Sequence, residues 1–218
     1  MLKEHKHYFS NKDFLLLAFS SFVLFSVSLV INWYAGVYAT AHASNSVTDI
    51  ILSNTRTFDV DGLFIYGTIA FWTFMFFLCV RDPKIIPFTF AATALFVIVR
   101  SLFISLTHIG PFPTQIVVDS NIISKFAFGG DLFFSGHTGL PFLMALIFWR
   151  NIYLRVLFIL SAISFGIIVL LAHLHYSIDV LSAFFITYSI YHIAEVLFKK
   201  ERKIFHEGII DNPEKKAL

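Results

Sequence analysis

The chain has 218 residues, of which 57% are hydrophobic and 14% charged, and a mean hydropathy of +0.78, which excludes a water-soluble domain and suits a chain solvated by lipid. The formal net charge of +2 gives no reason to expect a nucleic-acid partner. Cys79 is the single cysteine, so no disulfide can form within the chain and redox compartment is not readable.

A transmembrane helix needs about 20 mostly apolar residues to cross about 30 Å of hydrocarbon. Six stretches qualify, at roughly 14–38, 62–80, 85–107, 132–149, 152–172 and 178–198. The first follows Lys3 and Lys6 and ends near AHA at 41–43, in the manner of a cleaved leader. Its apolar core exceeds the usual ~7–15 residues of such a leader, so it reads as a retained helix. Arg100 falls in the third stretch, about 10 Å below its end at 1.5 Å per residue. The fourth is the shortest and contains Pro141, which membrane helices tolerate because neighbours satisfy the freed backbone groups. No linker or internal repeat divides the chain. The expected fold is therefore all-α, a polytopic membrane protein with a six-transmembrane-helix bundle as a single domain over residues 1–218.

Basic residues set the expected orientation. Lys3, Lys6, Lys12, Arg81, Lys84, Arg150, Arg155 and the basic tail from Lys199 to Lys216 fall on one side, whereas the loops of the other side hold only Arg56 and Lys125. Short loops rich in Lys and Arg stay cytoplasmic. Residues 1–13 and 199–218 then form cytoplasmic tails, and the polar motifs face the non-cytoplasmic side. Trp33, Tyr34 and Tyr38, with Trp149 and Tyr153, fall where interfacial aromatic belts are expected. The tail suits anionic inner-leaflet lipids, and its final KKAL reads as a coincidence of a lysine-rich end.

Two stretches carry chemistry: GDLFFSGHT at 130–138 and LAHLHYSIDV at 171–180. His175 and Asp179 are four apart, so a helix would place both on one face, with the carboxylate able to accept the imidazole Nδ1 proton. That bond would leave Nε2 free as a nucleophile or base. His137, expected at the same depth on another helix, can supply the complementary proton. Arg100 is the candidate anion site, since an intramembrane charge is expensive to keep. It could otherwise snorkel to the head groups. Asp131, Ser135, His173 and Tyr176 complete the candidate substrate contacts. Ser135 serves equally well as a helix cap. His192 reads as an ordinary polar contact to a neighbouring helix, and Asp49, Asp59 and Asp61 as solvated carboxylates of an outer loop. The arrangement requires no metal and no cofactor.

The two quoted stretches look like the signature motifs of sphingomyelin synthases, within the wider type 2 phosphatidic acid phosphatase superfamily. RSLFISLTHIGPFP at 100–113 more loosely resembles that family's motif after the third span. The resemblance implies that the histidine matching His175 attacks phosphorus, the aspartate matching Asp179 orients it, and the histidine matching His137 protonates the leaving alkoxide. Asp131 matches a further carboxylate that polarises or positions. The resemblance further implies a phospholipid donor and, as acceptor, a lipid alcohol (ceramide-like or diacylglycerol) or water. With water the protein would be a lipid phosphatase or phospholipase C. Ile168 and Val169 stand where the superfamily's ordinary phosphatases carry a Ser-Arg pair, which favours a singly charged diester over a dianionic monoester. Leu174 replaces an acidic residue of the synthase pattern and Gly129 a cysteine. The short N-terminus, without the extension of animal relatives, suggests a minimal version of bacterial type.

Three other classes are weighed against this reading. A haem b electron carrier would use paired axial histidines, drawn from His137, His173, His175 and His192, but has no use for SGHT or for an aspartate at i+4. A transporter would place its polar groups near the midplane rather than toward one face. A rhomboid-like protease would need glycine where Phe133 stands.

Overall fold

The computed structural model describes residues 2–116 and 132–209. Among them are eight α-helices: α1 (Leu2–Phe9), α2 (Lys12–Ala41), α3 (Asp61–Arg81), α4 (Ile86–Leu106), α5 (Gly136–Ile147), α6 (Ile152–Leu171), α7 (Ser177–Leu197) and α8 (Lys199–Glu207). Five apolar segments are long enough to cross a bilayer, namely α2, α3, Pro83–Leu106, α6 and α7. Their bounds lie within a few residues of those expected, because apolar length in a bilayer is set by hydrocarbon thickness.

The helix ends follow from local chemistry. Asn11 caps α2, its side chain accepting the Phe14 N–H at 2.9 Å, and Asn151 caps α6 by accepting from Tyr153 and Leu154, each at 3.1 Å. Such caps satisfy backbone donors that the helix itself cannot. At its other end α6 closes with Leu174 N–H bonded to Val169 C=O at 2.8 Å and His173 N–H to Leu170 C=O at 3.1 Å. This is the Schellman pattern, which needs a left-handed residue after the cap. His173 occupies that position with φ +53°, where glycine or asparagine is more usual.

The fourth expected span differs. Helix α5 is 12 residues long, about 18 Å at 1.5 Å per residue, and residues 132–135 before it are not helical. The correction has a physical reason. Irregular backbone is tolerated at membrane depth where protein, not lipid, surrounds it, and Leu132, Phe134 and Ser135 are all buried. Helix α5 is itself mostly buried, packed against α6 and α7 with α4 alongside. The core joins these helices through Phe88, Phe96, Leu143, Met144, Phe158 and Ile190. Gly139 permits the closest approach: a Cβ there would stand 2.7 Å from the Phe96 ring and 2.9 Å from Thr187 Oγ1. Helix α2 packs along α4, while α3 touches mainly α6 and leaves most of its surface exposed. Helix α8 is amphipathic and anchored by Phe205 against Phe88 and Phe148, at ring centroid distances of 6.0 and 5.4 Å.

The C-terminal ends of α2, α4 and α6 and the N-terminal ends of α3, α5 and α7 share one end of the bundle, where the connecting segments form a hydrogen-bonded rim. Ser44 N–H donates to His108 C=O at 2.8 Å, Phe58 N–H to Leu171 C=O at 2.9 Å and Ile116 N–H to Ala172 C=O at 3.1 Å. A side chain on Gly110 would overlap the Ser44 carbonyl. Asp49 is the hub. Its Oδ1 accepts from Ile51 and Leu52 N–H at 2.8 and 3.0 Å, and its Oδ2 from Ser177 N–H and Oγ–H at 2.7 and 2.8 Å. The expectation of a solvated carboxylate is thus wrong for Asp49, which is 7% exposed. Burial raises its pKa, but hydrogen bonds from Leu52, Ser177 and Ile51 outweigh that and hold the carboxyl below its ordinary value. His173, also buried, is shifted the opposite way to burial on an acid: desolvation disfavours its cationic form and lowers its pKa.

Two outcomes follow from the rim. Replacing Asp49 by Asn turns a charged acceptor toward donors and should cost about 1.5–3 kcal/mol, lowering the apparent unfolding temperature in detergent by roughly 3–12 °C. An unchanged melting curve would remove Asp49 as the hub. The folded state favours neutral His173, so the unfolded state binds more protons, and stability must fall as pH drops through the ordinary histidine value of 6.5. His173→Asn, which also accepts a left-handed backbone, should flatten that part of the pH profile. A slope equal to that of the wild type would assign the effect elsewhere.

Candidate active site

The two motifs meet through their backbones. Ser135 N–H, at the start of α5, donates to Asp179 C=O in the first turn of α7 at 3.1 Å. Tyr176 and Asp179 are reciprocally bonded: Asp179 N–H donates to Tyr176 C=O at 3.0 Å, and Tyr176 N–H donates to Asp179 Oδ2 at 2.9 Å. His175 therefore lies just before α7 and not on it. The helical i, i+4 expectation is corrected to a capping turn that brings the same two side chains together.

His175 Nδ1 stands 3.5 Å from Asp179 Oδ2, with side-chain exposures of 8% and 0%. That distance is long for a hydrogen bond. Among the described residues neither His175 Nδ1 nor Asp179 Oδ1 has a hydrogen-bond partner. The buried ring nitrogen thus stands beside a carboxylate whose Oδ2 is already engaged by the Tyr176 N–H, the loose geometry that substrate-free acid–base pairs commonly show.

His137 is the second residue of α5. Its ring lies against Phe64 of α3, with centroids 4.3 Å apart, and near Phe165 of α6 at 6.1 Å. It is within electrostatic reach of both His175 and Arg100. Arg100 is 8% exposed and does not snorkel: its Nε–H donates to Phe134 C=O at 2.9 Å. Gly136 leaves room for it, since a Cβ there would stand 3.3 Å from Arg100 Nε. The guanidinium is held at the base of α5, one residue from His137.

The other expected contacts have different positions. Ser135 is fully buried and caps α5, its Oγ accepting from Thr138 N–H at 3.4 Å and Thr138 Oγ1–H at 3.2 Å, so the capping alternative describes it. Tyr176 points into the rim, where its hydroxyl donates to Gly110 C=O at 2.8 Å and accepts Val47 N–H at 3.2 Å. His173 hydrogen-bonds through Nδ1 to Thr114 Oγ1 and meets the Phe112 ring edge-on at 5.3 Å. Both hold the rim to the start of α7. Asp131 lies outside the described residues. His192 bonds to Glu195 on its own helix at 2.9 Å, which in turn pairs with Arg202 of α8 at 2.6 Å, instead of bridging to a neighbouring span. It stands 17 residues along from His175, about 25 Å at 1.5 Å per residue, so those two cannot share a haem.

The structure thus brings His137, His175, Asp179 and Arg100 to one end of the bundle. Sequence reasoning missed Asp49, and it missed Phe64 and Phe165 as the walls beside His137. Nothing in their local pattern distinguishes these from other loop acids and core phenylalanines.

No curated protein and no solved structure matches the chain significantly. Residues 129–196 match the family described as PAP2 superfamily C-terminal, a segment that contains both histidine motifs and runs from before α5 into the last turn of α7. The match makes this segment similar to that superfamily, and the membrane-length helices suit an integral membrane protein.

Proposed function

We propose that this protein is a lipid phosphotransferase that moves a phospho-head group from a phospholipid to a lipid alcohol through a phosphohistidine on His175. The observation that carries the reading is the buried His175 and Asp179 pair, set beside His137 and Arg100 within the matched segment. With substrate bound the loose pair closes, so that Asp179 accepts the Nδ1 proton and the Nε2 lone pair is left to face phosphorus. In the first step Nε2 forms a bond to phosphorus, the bond from phosphorus to the diacylglycerol oxygen breaks, and His137 gives that oxygen its proton. In the second step the acceptor hydroxyl forms a new bond to phosphorus, the phosphorus–nitrogen bond breaks, and the hydroxyl proton passes to His137. Arg100 balances the single charge of the diester. Positioning and fixed charge supply most of the rate enhancement in phosphoryl transfer.

Two apolar positions favour the diester. Val169 is fully buried and packs with Phe64, and Ile168 lies partly buried beside it, where a second cation would be needed to grip a dianionic monoester. The acceptor distinguishes two enzymes built on the same groups: ceramide-like alcohol or diacylglycerol gives a synthase, and water gives a phospholipase C or phosphatase. The basic residues divide between the ends of the bundle. Among the described residues the motif end carries Arg56 and the buried Arg100, while Lys12, Arg81, Lys84, Arg150, Arg155 and the α8 cations lie at the other. That division supports cytoplasmic termini and a site on the non-cytoplasmic side.

His175→Ala should abolish transfer from a head-group-labelled phospholipid in micelles, and Asp179→Asn should slow it about 10²- to 10⁴-fold. An acid-labile, base-stable protein label should form in the wild type and be missing from His175→Ala; the same label on both proteins would remove His175 as nucleophile. For orientation, a cysteine placed at Asn54 in a Cys79→Ser background should react with an impermeant maleimide in intact cells, and one at Lys200 only after permeabilisation. The reverse pattern would invert the topology.

A further inference from the structure

A cleft with a volume of about 480 Å³ separates the midsections of α3 and α6. Gly67, Ala70 and Phe74 face it from α3, and Ser161, Ser164 and Phe165 from α6. Its walls make almost no polar demand, since Ser161 Oγ–H is already bonded to Leu157 C=O at 2.9 Å. Ala70 and Ser164 are exposed, so the cleft opens sideways toward the surrounding lipid.

The cleft borders the site and shares one wall with it. Phe165 forms part of its wall and is also the ring near His137. Phe64, the other ring against His137, stands one turn before Gly67 on α3. Gly67 lets α3 approach Phe165 closely: a Cβ on Gly67 would lie 3.3 Å from that ring. From Phe64 to Phe74 the wall runs about 15 Å along α3, at 1.5 Å per residue, away from the rim. A hydrocarbon chain hanging from a phosphate beside His137 would follow this course toward the bilayer centre. A volume of this size lies within the range of dedicated ligand sites, and it is apolar where such a chain would run.

We infer that the α3–α6 cleft binds an acyl chain of the donor lipid and admits that lipid sideways, with Gly67 and Phe165 packed together below the head group. The inference rests on the proposed transfer reaction for the identity of the head-group site, but the chain site can be tested without turnover. Ala70→Phe and Ser164→Phe fill the cleft from opposite walls, away from His137. Each should lower the ratio of kcat/KM for a long-chain donor to that for a short-chain donor by about tenfold or more. Ile69→Phe, on the exposed side of α3 outside the cleft, should keep the wild-type ratio. In parallel, a phospholipid carrying a mid-chain diazirine should crosslink the full-length His175→Ala protein mainly at the facing residues of α3 and α6, and Ala70→Phe introduced into that protein should remove this labelling. Cleft labelling from a wild-type protein without transfer activity would keep the chain site and overturn the transferase reading. His175-dependent transfer with an unchanged chain-length ratio in both phenylalanine variants, and label spread evenly over the exposed faces of α2, α3 and α6, would overturn the cleft and keep the enzyme.

Discussion

Asp179 is the constraint around which this end of the bundle is organised. A carboxylate with 0% exposure in an apolar protein would cost on the order of 20 kcal/mol by idealised solvation if it stood alone. Its surroundings offset that cost in several ways at once. The Tyr176 N–H donates to Oδ2, the first turn of α7 presents the positive end of the helix macrodipole, and His175 lies 3.5 Å away. The same residue's carbonyl accepts the Ser135 N–H. One residue thereby fixes the imidazole, the start of α7 and the start of α5, and through α5 it sets the depth of His137.

This arrangement explains why α5 is short. If residues 132–135 were helical, Ser135 N–H would be bonded within its own helix and could not reach Asp179. The extended segment leaves Phe134 C=O available to Arg100 and Ser135 Oγ available to Thr138. The lost helical bonds are replaced by bonds to other elements, as buried backbone requires. Hydropathy could not show this, because Leu132, Phe133 and Phe134 are as apolar in an extended strip as in a helix. The five long spans were legible to within a few residues because apolar length is what a bilayer selects. The pairing of His175 with Asp179 was legible from spacing, although the turn that accomplishes it is a cap and not a helix face. The rim contacts of Asp49, His173 and Tyr176 were not legible, for a common reason. Their partners lie at sequence separations of 59 to 129 residues or in backbone groups, and no local pattern encodes such contacts. His173 adds a left-handed backbone position that its residue type does not announce.

The packing divides the bundle into a fixed part and a lightly held one. Helices α4, α5, α6 and α7 share the buried aromatic core, and three of the four proposed catalytic groups belong to the two helix starts that this core locates. Helix α3 contributes few buried residues. In lipid, apolar helices gain little from hiding their side chains from one another, since lipid tails are equally apolar. Association then depends on close packing, and the α3–α6 contact is interrupted by a cleft. The helix that carries Phe64 to His137 is thus the one with the least to lose by moving.

The choice between transfer to a lipid alcohol and hydrolysis does not depend on the identity of the catalytic groups. In the proposed mechanism both reactions would use the same phosphohistidine and the same proton on His137. They differ in which hydroxyl reaches phosphorus, and hence in how the site is enclosed. On the polar side, Asp49, Tyr176 and His173 bind the connecting segments to one another and to the start of α7. On the lipid side, the wall beside His137 is two phenylalanine rings, one of them packed against Gly67. For the proposed transfer, a rim pinned by hydrogen bonds and an apolar wall on the lipid side would together favour an acceptor that arrives dissolved in the membrane. If the proposed transfer holds, the rim residues would influence the reaction's outcome without touching the reacting atoms: loosening the rim would move the same chemistry from synthase toward hydrolase.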